Sequence, residues 1–326
     1  QKSSNQIMRL NTTGTSGYNS MLINAGEIEN KGIEIALNTR PIQTKDFLWD
    51  LNINFSKNSN KVKRLASGIK EFELESARWI NVKVAAVEGQ NYGSILGKDF
   101  LRNDAGQIIV DATTGLPKVT EDLRVLGNAT WKWTGGITTN LTYRDISLSA
   151  IFDIKVGADV YSMSSRSSYM TGKDKATLAG RDGWYESEEK RLQAGVTEAK
   201  WEATGGYLVD GVIEMADGSF VKNKKFVDPE VYWKHIADQT PVPFIYDNSY
   251  VKVREITLAY RLPQRWISKV FDAVSVSFVA RNPFIIYKNV PNIDPDSNYN
   301  NGSGMGLEYG SLPSRRSYGF NVNVKF

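Results

Sequence analysis

The chain has 326 residues, 41% of them hydrophobic and 11% aromatic, which is ample for a folded domain. Its 40 basic and 36 acidic residues leave a formal net charge of +4, scattered in small mixed groups without a basic stripe, so nucleic acid is not indicated as a partner. The absence of cysteine excludes disulfides, iron–sulfur clusters and thiol catalysis, and a single histidine, His235, argues against a histidine-rich metal site or a Ser-His-Asp relay.

No run approaches the ~18 consecutive apolar residues of a membrane helix, so if a membrane is involved, strands must cross it. Residues 1–5 carry no apolar targeting segment. That leaves a cytosolic protein or the downstream part of a longer precursor, and the strand pattern favours the second. Several stretches alternate with the period of two that puts successive side chains on opposite faces of a strand. Ile33, Ile35 and Leu37 face away from Glu34 and Asn38; Phe47, Trp49, Leu51, Ile53 and Phe55 oppose Asp50, Asn52, Asn54 and Ser56. Ile80, Val82, Val84 and Ala86 oppose Asn81 and Lys83, and a less regular strand is expected over 93–101.

Trp131, Trp133, Ile137, Leu141 and Tyr143 then oppose Lys132, Thr134, Thr138, Asn140 and Thr142. Ile146, Leu148, Ala150, Phe152 and Ile154 oppose Ser147, Ser149, Asp153 and Lys155. Asp228 reads as a helix cap with Pro229 at the first helical position, and 263–271 as a short helix packing Trp266, Ile267, Val270 and Phe271 under a rim. Ile256, Leu258, Tyr260 and Leu262 oppose Thr257 and Arg261; Val274, Val276 and Phe278 oppose Ser275 and Ser277. The final strand runs without a slip: Tyr318, Phe320, Val322, Val324 and Phe326 on one face, Ser317, Asn321, Asn323 and Lys325 on the other. It has the ~9–11 residues that a tilted strand needs to cross a bilayer.

Alternation alone does not separate a membrane barrel from a soluble sandwich. Three further features favour the barrel. The polar faces are rich in Asn, Ser and Thr, as a wet lumen would be. Aromatic residues gather near strand ends, as in interfacial girdles. Connections alternate between short (40–46, 89–92, 144–145, 263–272) and long (57–79, 111–130, 158–249, 282–315), and soluble domains rarely hold a connection of about 90 residues. The expected fold is therefore all-β, a partial transmembrane antiparallel β-barrel of about nine strands. It reads as one domain over residues 1–326, with long extracellular loops near 158–249 and 282–315 and the missing strands upstream of Gln1.

Several stretches resemble, in order, the C-terminal portion of the SusC/RagA-type TonB-dependent outer-membrane transporters of Bacteroidetes. They are Asn24-Ala-Gly-Glu-Ile-Glu-Asn-Lys-Gly-Ile-Glu-Ile35, Trp49-Asp-Leu-Asn-Ile-Asn-Phe-Ser-Lys-Asn-Ser-Asn-Lys-Val62, Ser249-Tyr-Val-Lys-Val-Arg-Glu-Ile-Thr-Leu-Ala-Tyr-Arg-Leu-Pro263, Ala280-Arg-Asn-Pro-Phe284, Pro291-Asn-Ile-Asp-Pro-Asp296 and Gly310-Ser-Leu-Pro-Ser-Arg-Arg-Ser-Tyr-Gly-Phe320. The resemblance implies a barrel of ~22 strands filled by an N-terminal plug. It also implies import of an oligosaccharide or peptide, energy supplied by the TonB system through the plug, and a SusD-like surface lipoprotein as lid. The plug lies outside this sequence. Such a protein is not an enzyme, needs no cofactor and sits in the outer-membrane lipid as a multi-pass protein.

Within that frame Trp184, Tyr185, Trp201, Tyr207, Trp233 and Tyr246 of the longest loop are candidate substrate contacts, because flat aromatic faces stack on sugar rings and also anchor peptides. Packing within the loop or against the lid is the plainer reading of any one of them. Lys132, Asp153, Lys155 and Arg261 face the expected lumen, where buried charge must find a partner or water, and pairing with the plug is the expected role. Phe326 at the end of its alternating strand reads as the signal for outer-membrane assembly, as in similar barrels. Asp294, Asp296, Asn298 and Asn300 alternate faintly like a calcium loop, but lack its glycine and closing glutamate, and ordinary turn chemistry is the better reading. Glu186, Glu188 and Glu189 fall in a charged run that reads as a solvated helix face rather than a glycosidase pair. The rival from another class is a secreted all-β carbohydrate-binding or hydrolytic domain.

Overall fold

Most of the alternating stretches become one sheet. Seven long antiparallel strands lie side by side in chain order: β1 (Glu27–Gln43), β2 (Phe47–Arg64), β3 (Trp133–Tyr143), β4 (Ile146–Val156), β5 (Tyr250–Arg261), β6 (Ala273–Lys288) and β7 (Ser317–Lys325). The two-residue strand Lys2–Ser3 pairs outside β1. The computed structural model describes residues 2–3, 7–11, 20–24, 26–77, 82–267, 270–298, 302 and 304–326, with the backbone alone at 7–11 and 20–24. Among the described residues the sheet is open, its outer members being Lys2–Ser3 and β7. The chain is mostly β.

Register carries the sequence pattern around the sheet. Ile42, Trp49, Leu141, Leu148, Leu258, Phe278 and Phe320 are cross-strand neighbours in one unbroken row through all seven strands. Below it Phe47, Tyr143, Ile146, Tyr260, Val276 and Val322 form a second row. Between the two, on the opposite face, run Thr142, Ser147, Ala259, Ser277 and Asn321. Because the side-chain period is two, a slip of one residue at any pair would interrupt both sets. The apolar rows are not covered: Leu258 is 49% exposed and Phe320 81%. The indole N–H of Trp49, on the apolar face, donates to Thr139 Oγ1 of the next strand at 3.0 Å, so its polar atom needs no water.

All three short connections, 44–46, 144–145 and 262–272, lie at one end of the sheet. At that end Arg144 takes φ 52°, and the Thr44 hydroxyl receives the Phe47 N–H at 3.0 Å, which closes two of the turns. The three long connections, 65–132, 157–249 and 289–316, lie at the other end. They share one apolar core, to which 65–132 gives Val84, Ile95 and Val110, 157–249 gives Tyr161, Trp233 and Phe244, and 289–316 gives Leu307. The second of them carries helices α1 (Met163–Met170), α2 (Arg181–Gln193) and α3 (Pro229–Gln239); α4 (Gln264–Ile267) sits in the third short connection. No helix among the described residues is long and apolar enough to cross a membrane.

Four expectations are corrected. The stretches 80–86 and 93–101 do not join the long sheet. Their strands, Lys83–Val87 and Ser94–Gly97, pair with Glu71–Ser76 and Arg124–Asn128 in a separate four-stranded sheet. Alternation misled there because Val84, Ala85 and Ala86 are all buried, so that strand has no wet face; Ile80 and Asn81 lie outside the described residues. The long sheet thus has seven long strands where about nine were expected. The last loop begins at 289 rather than 282, since β6 continues through Asn282 at φ 47° and re-pairs at Phe284 with Val253. Trp131 does not extend the apolar face of β3: it precedes the strand and its ring meets Tyr250 edge-on at 5.8 Å. Finally, Trp266 and Val270 are 62% and 68% exposed rather than packed under the rim; Ser268 and Lys269 lie outside the described residues.

Candidate functional site

Where the polar face of the sheet meets the long connections, charge is concentrated and buried. Lys252 of β5 is 1% exposed. Its ammonium donates to Asp294 Oδ1 at 2.9 Å, Asp296 Oδ2 at 2.6 Å and Ser314 Oγ at 2.7 Å, all three acceptors in the 289–316 connection. Arg254 lies in the bulge of β5, between the Val253–Phe284 and Glu255–Arg281 pairs, where the ladder skips a partner. Its guanidinium bridges Asp153 of β4 (Nε to Oδ2, 2.9 Å) and Asp296 (Nη2 to Oδ1, 2.9 Å). The Tyr250 hydroxyl, with one proton to give, lies 3.1 and 2.8 Å from oxygens of the same two carboxylates. Lys155 stands 5.7 Å over the Trp131 ring and 5.9 Å over that of Tyr250.

Burial by itself raises the Asp296 carboxyl, but hydrogen bonds from Arg254, Lys252 and Tyr250 outweigh it and hold the group far below the ordinary carboxylate range. Asp294 is lowered by the same balance, burial opposed by donors from Ser314 and Lys252. The two aspartates that faintly resembled a calcium loop therefore face an ammonium and a guanidinium; Asn300 lies outside the described residues. Glu308 in the same connection is 1% exposed and accepts from Ser162 Oγ, Ser164 Oγ and the Gly310 N–H at 2.8, 2.7 and 2.6 Å. These contacts fasten 289–316 both to the sheet and to the start of α1.

A second arrangement lies in the 157–249 connection. The Asp228 carboxylate accepts the Glu230 N–H at 2.8 Å and Pro229 opens α3, as the sequence pattern requires. Trp233 follows one turn later, 9% exposed, with Tyr169 at 4.9 Å and Tyr232 at 4.8 Å, both edge-on. Tyr207 stacks on Tyr232 with centroids 3.9 Å apart. α2 begins at Gly180, whose φ of 82° favours glycine, and its first turn lies directly on Gly205 and Gly206. A Cβ at Gly205 would stand 2.4 Å from the Gly183 carbonyl oxygen, so only glycine lets the two backbones meet. That approach sets Trp184 beside Gly206.

Between the end of α1, α2 and α3 lies a cavity of about 520 Å³ lined by Tyr169, Trp184, Tyr185 and Trp233 with Arg181 and Lys234 at its sides. Of the six candidate aromatics, Trp184, Tyr185 and Trp233 thus share one cavity. Trp201 lines a neighbouring cavity with Trp184, and its N–H donates to Ser187 Oγ at 3.1 Å. Tyr207 packs against Trp233 with centroids 5.6 Å apart and does not line the first cavity, nor does Tyr246, which packs against Val160, Val290 and Ile293. Among the lumen candidates, Asp153 finds partners in this chain and Lys155 finds ring faces, whereas Lys132 and Arg261 are exposed. Phe326 is 85% exposed with its ring 5.3 Å from Phe271. Glu186, Glu188 and Glu189 lie on α2, and Glu188 pairs with Arg191 at 2.8 Å. His235 Nε2 meets the Pro117 carbonyl oxygen at 2.9 Å.

Sequence reading missed Lys252, Arg254, Tyr250 and Tyr169. The first three sit in the stretch 249–263 that carries the family resemblance, but their partners lie more than forty residues further on or on another strand. Tyr169 carries no local signal.

No protein-family model matches the chain. The curated relatives to which it is similar are named TonB-dependent receptors. The chain is 25% identical over 338 residues to TonB-dependent receptor P3 of Formosa agariphila, a match covering 95% of this chain and 30% of the relative. It is 23% identical over 295 residues to TonB-dependent receptor SusC of Bacteroides thetaiotaomicron, covering 87% of this chain and 25% of that one. Among solved structures, the RagAB peptide importer in its closed-closed state superposes with a TM-score of 0.66 at 18% identity, over 100% of this chain and 32% of that one. The open-open state gives 0.64 at 17% identity. The fold is that of the matching third of a RagAB chain, and the sequence is similar to TonB-dependent receptors over most of its length. The chain spans roughly a quarter to a third of the curated relatives it matches.

Proposed function

We propose that this chain is the C-terminal part of an outer-membrane β-barrel that imports an oligosaccharide or a peptide, driven by TonB and served by a SusD-like surface lipoprotein. The long sheet is a segment of the barrel wall. Its apolar rows face lipid, and its polar rows face a lumen filled by water and by a plug supplied from upstream. The long connections form part of the extracellular surface; the short turns face the periplasm. The chain works by passage rather than chemistry. Lys252, Arg254 and their aspartates hold the 289–316 connection at the mouth of that passage, and Phe326 marks the strand by which the barrel is recognised for assembly.

One observation carries the reading: an uncovered apolar row crosses seven strands, backed by a polar face, with short turns at one end and long connections at the other. A secreted all-β domain would press such a row into a dry core. The peptide importer RagAB supports the peptide alternative by fold alone, and the clustered aromatics support the glycan alternative. The test is fractionation of cells expressing the full-length protein. Import through an outer-membrane barrel predicts that it sediments with outer membranes, resists alkaline extraction and dissolves only with detergent. Release into buffer without detergent would overturn it.

A further inference from the structure

We infer that the outward face of β1 and β2, just beyond the apolar rows at the loop end, is a docking surface for the phosphate-bearing headgroup of an outer-leaflet glycolipid. The inference goes beyond the import reading. It rests on that reading for the apolar rows' meeting lipid and the long connections' being extracellular.

β1 and β2 outrun their neighbours at the loop end. They stay paired as far as Glu27 and Arg64, whereas β3 begins at Trp133 and pairs no further along β2 than Ser56. Side chains alternate, so the face that carries Ile53 and Phe55 next presents Lys57, Ser59, Lys61 and Lys63. Across the ladder Ile33 pairs with Lys57, Lys31 with Ser59 and Glu29 with Lys61. Apolar side chains thus give way to ammonium groups within one step of the same face. The opposite face of this ribbon is taken: Val62 is 0% exposed and packs with Leu65 and Ala86 of the 65–132 connection.

The charge on the outward face is not balanced. Glu29 meets Lys31 at 2.9 Å and Lys63 at 3.4 Å, and Glu27 meets Lys2 at 2.9 Å. Lys57 and Lys61 are exposed and enter no ion pair among the described residues. Five ammonium groups therefore stand with two carboxylates. At the height of Lys57 the next two strands carry Trp133 and Val156 instead, and the Trp133 ring lies 5.6 Å from that of Phe55. The basic patch is local to β1 and β2, not a ring round the sheet. Lysine stems lie over apolar surface while their ammonium groups reach the headgroup layer, where anionic lipid attracts them.

Height selects the kind of lipid. From Lys57 to Lys63 the strand rises ~20 Å, or ~15 Å along the membrane normal at the usual barrel tilt. The headgroup layer of an ordinary phospholipid is only ~5–7 Å deep. A ladder of cations twice that tall matches phosphates carried on a saccharide headgroup that extends outward. A soluble anion has no need of the acyl-facing band on which these lysines border.

The experiment is native mass spectrometry of the full-length protein in detergent, titrated with diphosphoryl lipid A. Dephosphorylated lipid A and phosphatidylethanolamine are the lipid comparators, and inorganic pyrophosphate is the soluble one. Saturable binding of diphosphoryl lipid A is expected, weakened about thirtyfold in the double variant Lys57→Gln/Lys61→Gln. Lys57→Arg/Lys61→Arg should keep most of the affinity. Lys45→Gln/Lys325→Gln, which removes two exposed lysines at the short-turn end, should leave it unchanged. Equal affinity in the wild type and Lys57→Gln/Lys61→Gln overturns the inference, as does an equal loss in Lys45→Gln/Lys325→Gln. So does binding of dephosphorylated lipid A or of pyrophosphate as tight as that of diphosphoryl lipid A. Detergent dependence, scored on the same samples, reports on the import reading separately: a protein that needs detergent yet ignores the lipid phosphates retains that reading and loses this site.

Discussion

Lys252 and Asp296 are 44 residues apart in sequence and 2.6 Å apart in space, joined by a charge-assisted hydrogen bond between a sheet strand and a loop that returns over its polar face. The ammonium is almost wholly buried, its side chain 2% exposed. Its attraction for two carboxylates offsets desolvation only while all partners are present. Lys252→Met should therefore destabilise the loop end of the protein by roughly 3–5 kcal/mol, because Asp294 and Asp296 lose a buried counter-charge. Thermal unfolding in detergent would measure it, and protection of 289–316 from protease should fall with it. An unchanged melting temperature would show that the loop is held by its apolar contacts alone.

The same carboxylates set a pH dependence. Asp294 and Asp296 have folded-state pKa values below those of the unfolded chain, so their contribution is fully present above about pH 4. It is lost as the pH falls through the lower folded values. Hydrogen exchange of 289–316 should be equally protected at pH 7 and pH 5, after correction for intrinsic rates, and should lose protection only in stronger acid. Loss of protection between pH 7 and pH 5 would contradict this.

Much of this was legible beforehand, and the failures have physical causes. β7 and its partners announced themselves because one face is apolar and the other is Ser and Asn, so period two survives in the sequence. The strand Lys83–Val87 was misplaced because burial on both sides leaves no polar residue to mark a face. Asp228 and Pro229 fixed the start of α3 through local chemistry alone. The buried charge cluster was not legible: Lys252 looks like any polar-face residue until the loop carrying its partners folds back. The aromatic cavity was half legible, since tryptophans are conspicuous but their convergence depends on a close backbone approach by Gly205 and Gly206, in the segment that follows α2.

Those glycines make a prediction of their own. Gly205→Val places a side chain against the Gly183 backbone, where even a Cβ would stand 2.4 Å from the carbonyl oxygen. The first turn of α2 must shift, at a cost of at least about 1–3 kcal/mol, and Trp184 must move with it. Calorimetric unfolding should show the loss, and the fluorescence of Trp184 in a background without the other tryptophans should change. An unaltered protein would mean that the α2 approach is looser than described.

Phe326 is 85% exposed, with its ring 5.3 Å from that of Phe271, so it contributes little to the folded sheet. If it serves as an assembly signal, Phe326→Ala should lower the amount of heat-modifiable protein in the outer membrane several-fold while leaving the melting temperature of the assembled fraction unchanged. Equal yields would return Phe326 to the role of an ordinary strand end.

The most direct test concerns which side of the sheet meets lipid. Nitroxide labels would be placed singly on Leu148, Leu258 and Phe278, and separately on Ser147, Thr257 and Ser277, in the full-length protein reconstituted in vesicles. The first three should be relaxed by dissolved oxygen and shielded from a water-soluble nickel chelate, and the second three should show the reverse or be shielded from both. If instead Leu148, Leu258 and Phe278 prove immobile and shielded from both agents while the serines meet bulk water, the apolar rows form a dry core and the chain is no barrel wall.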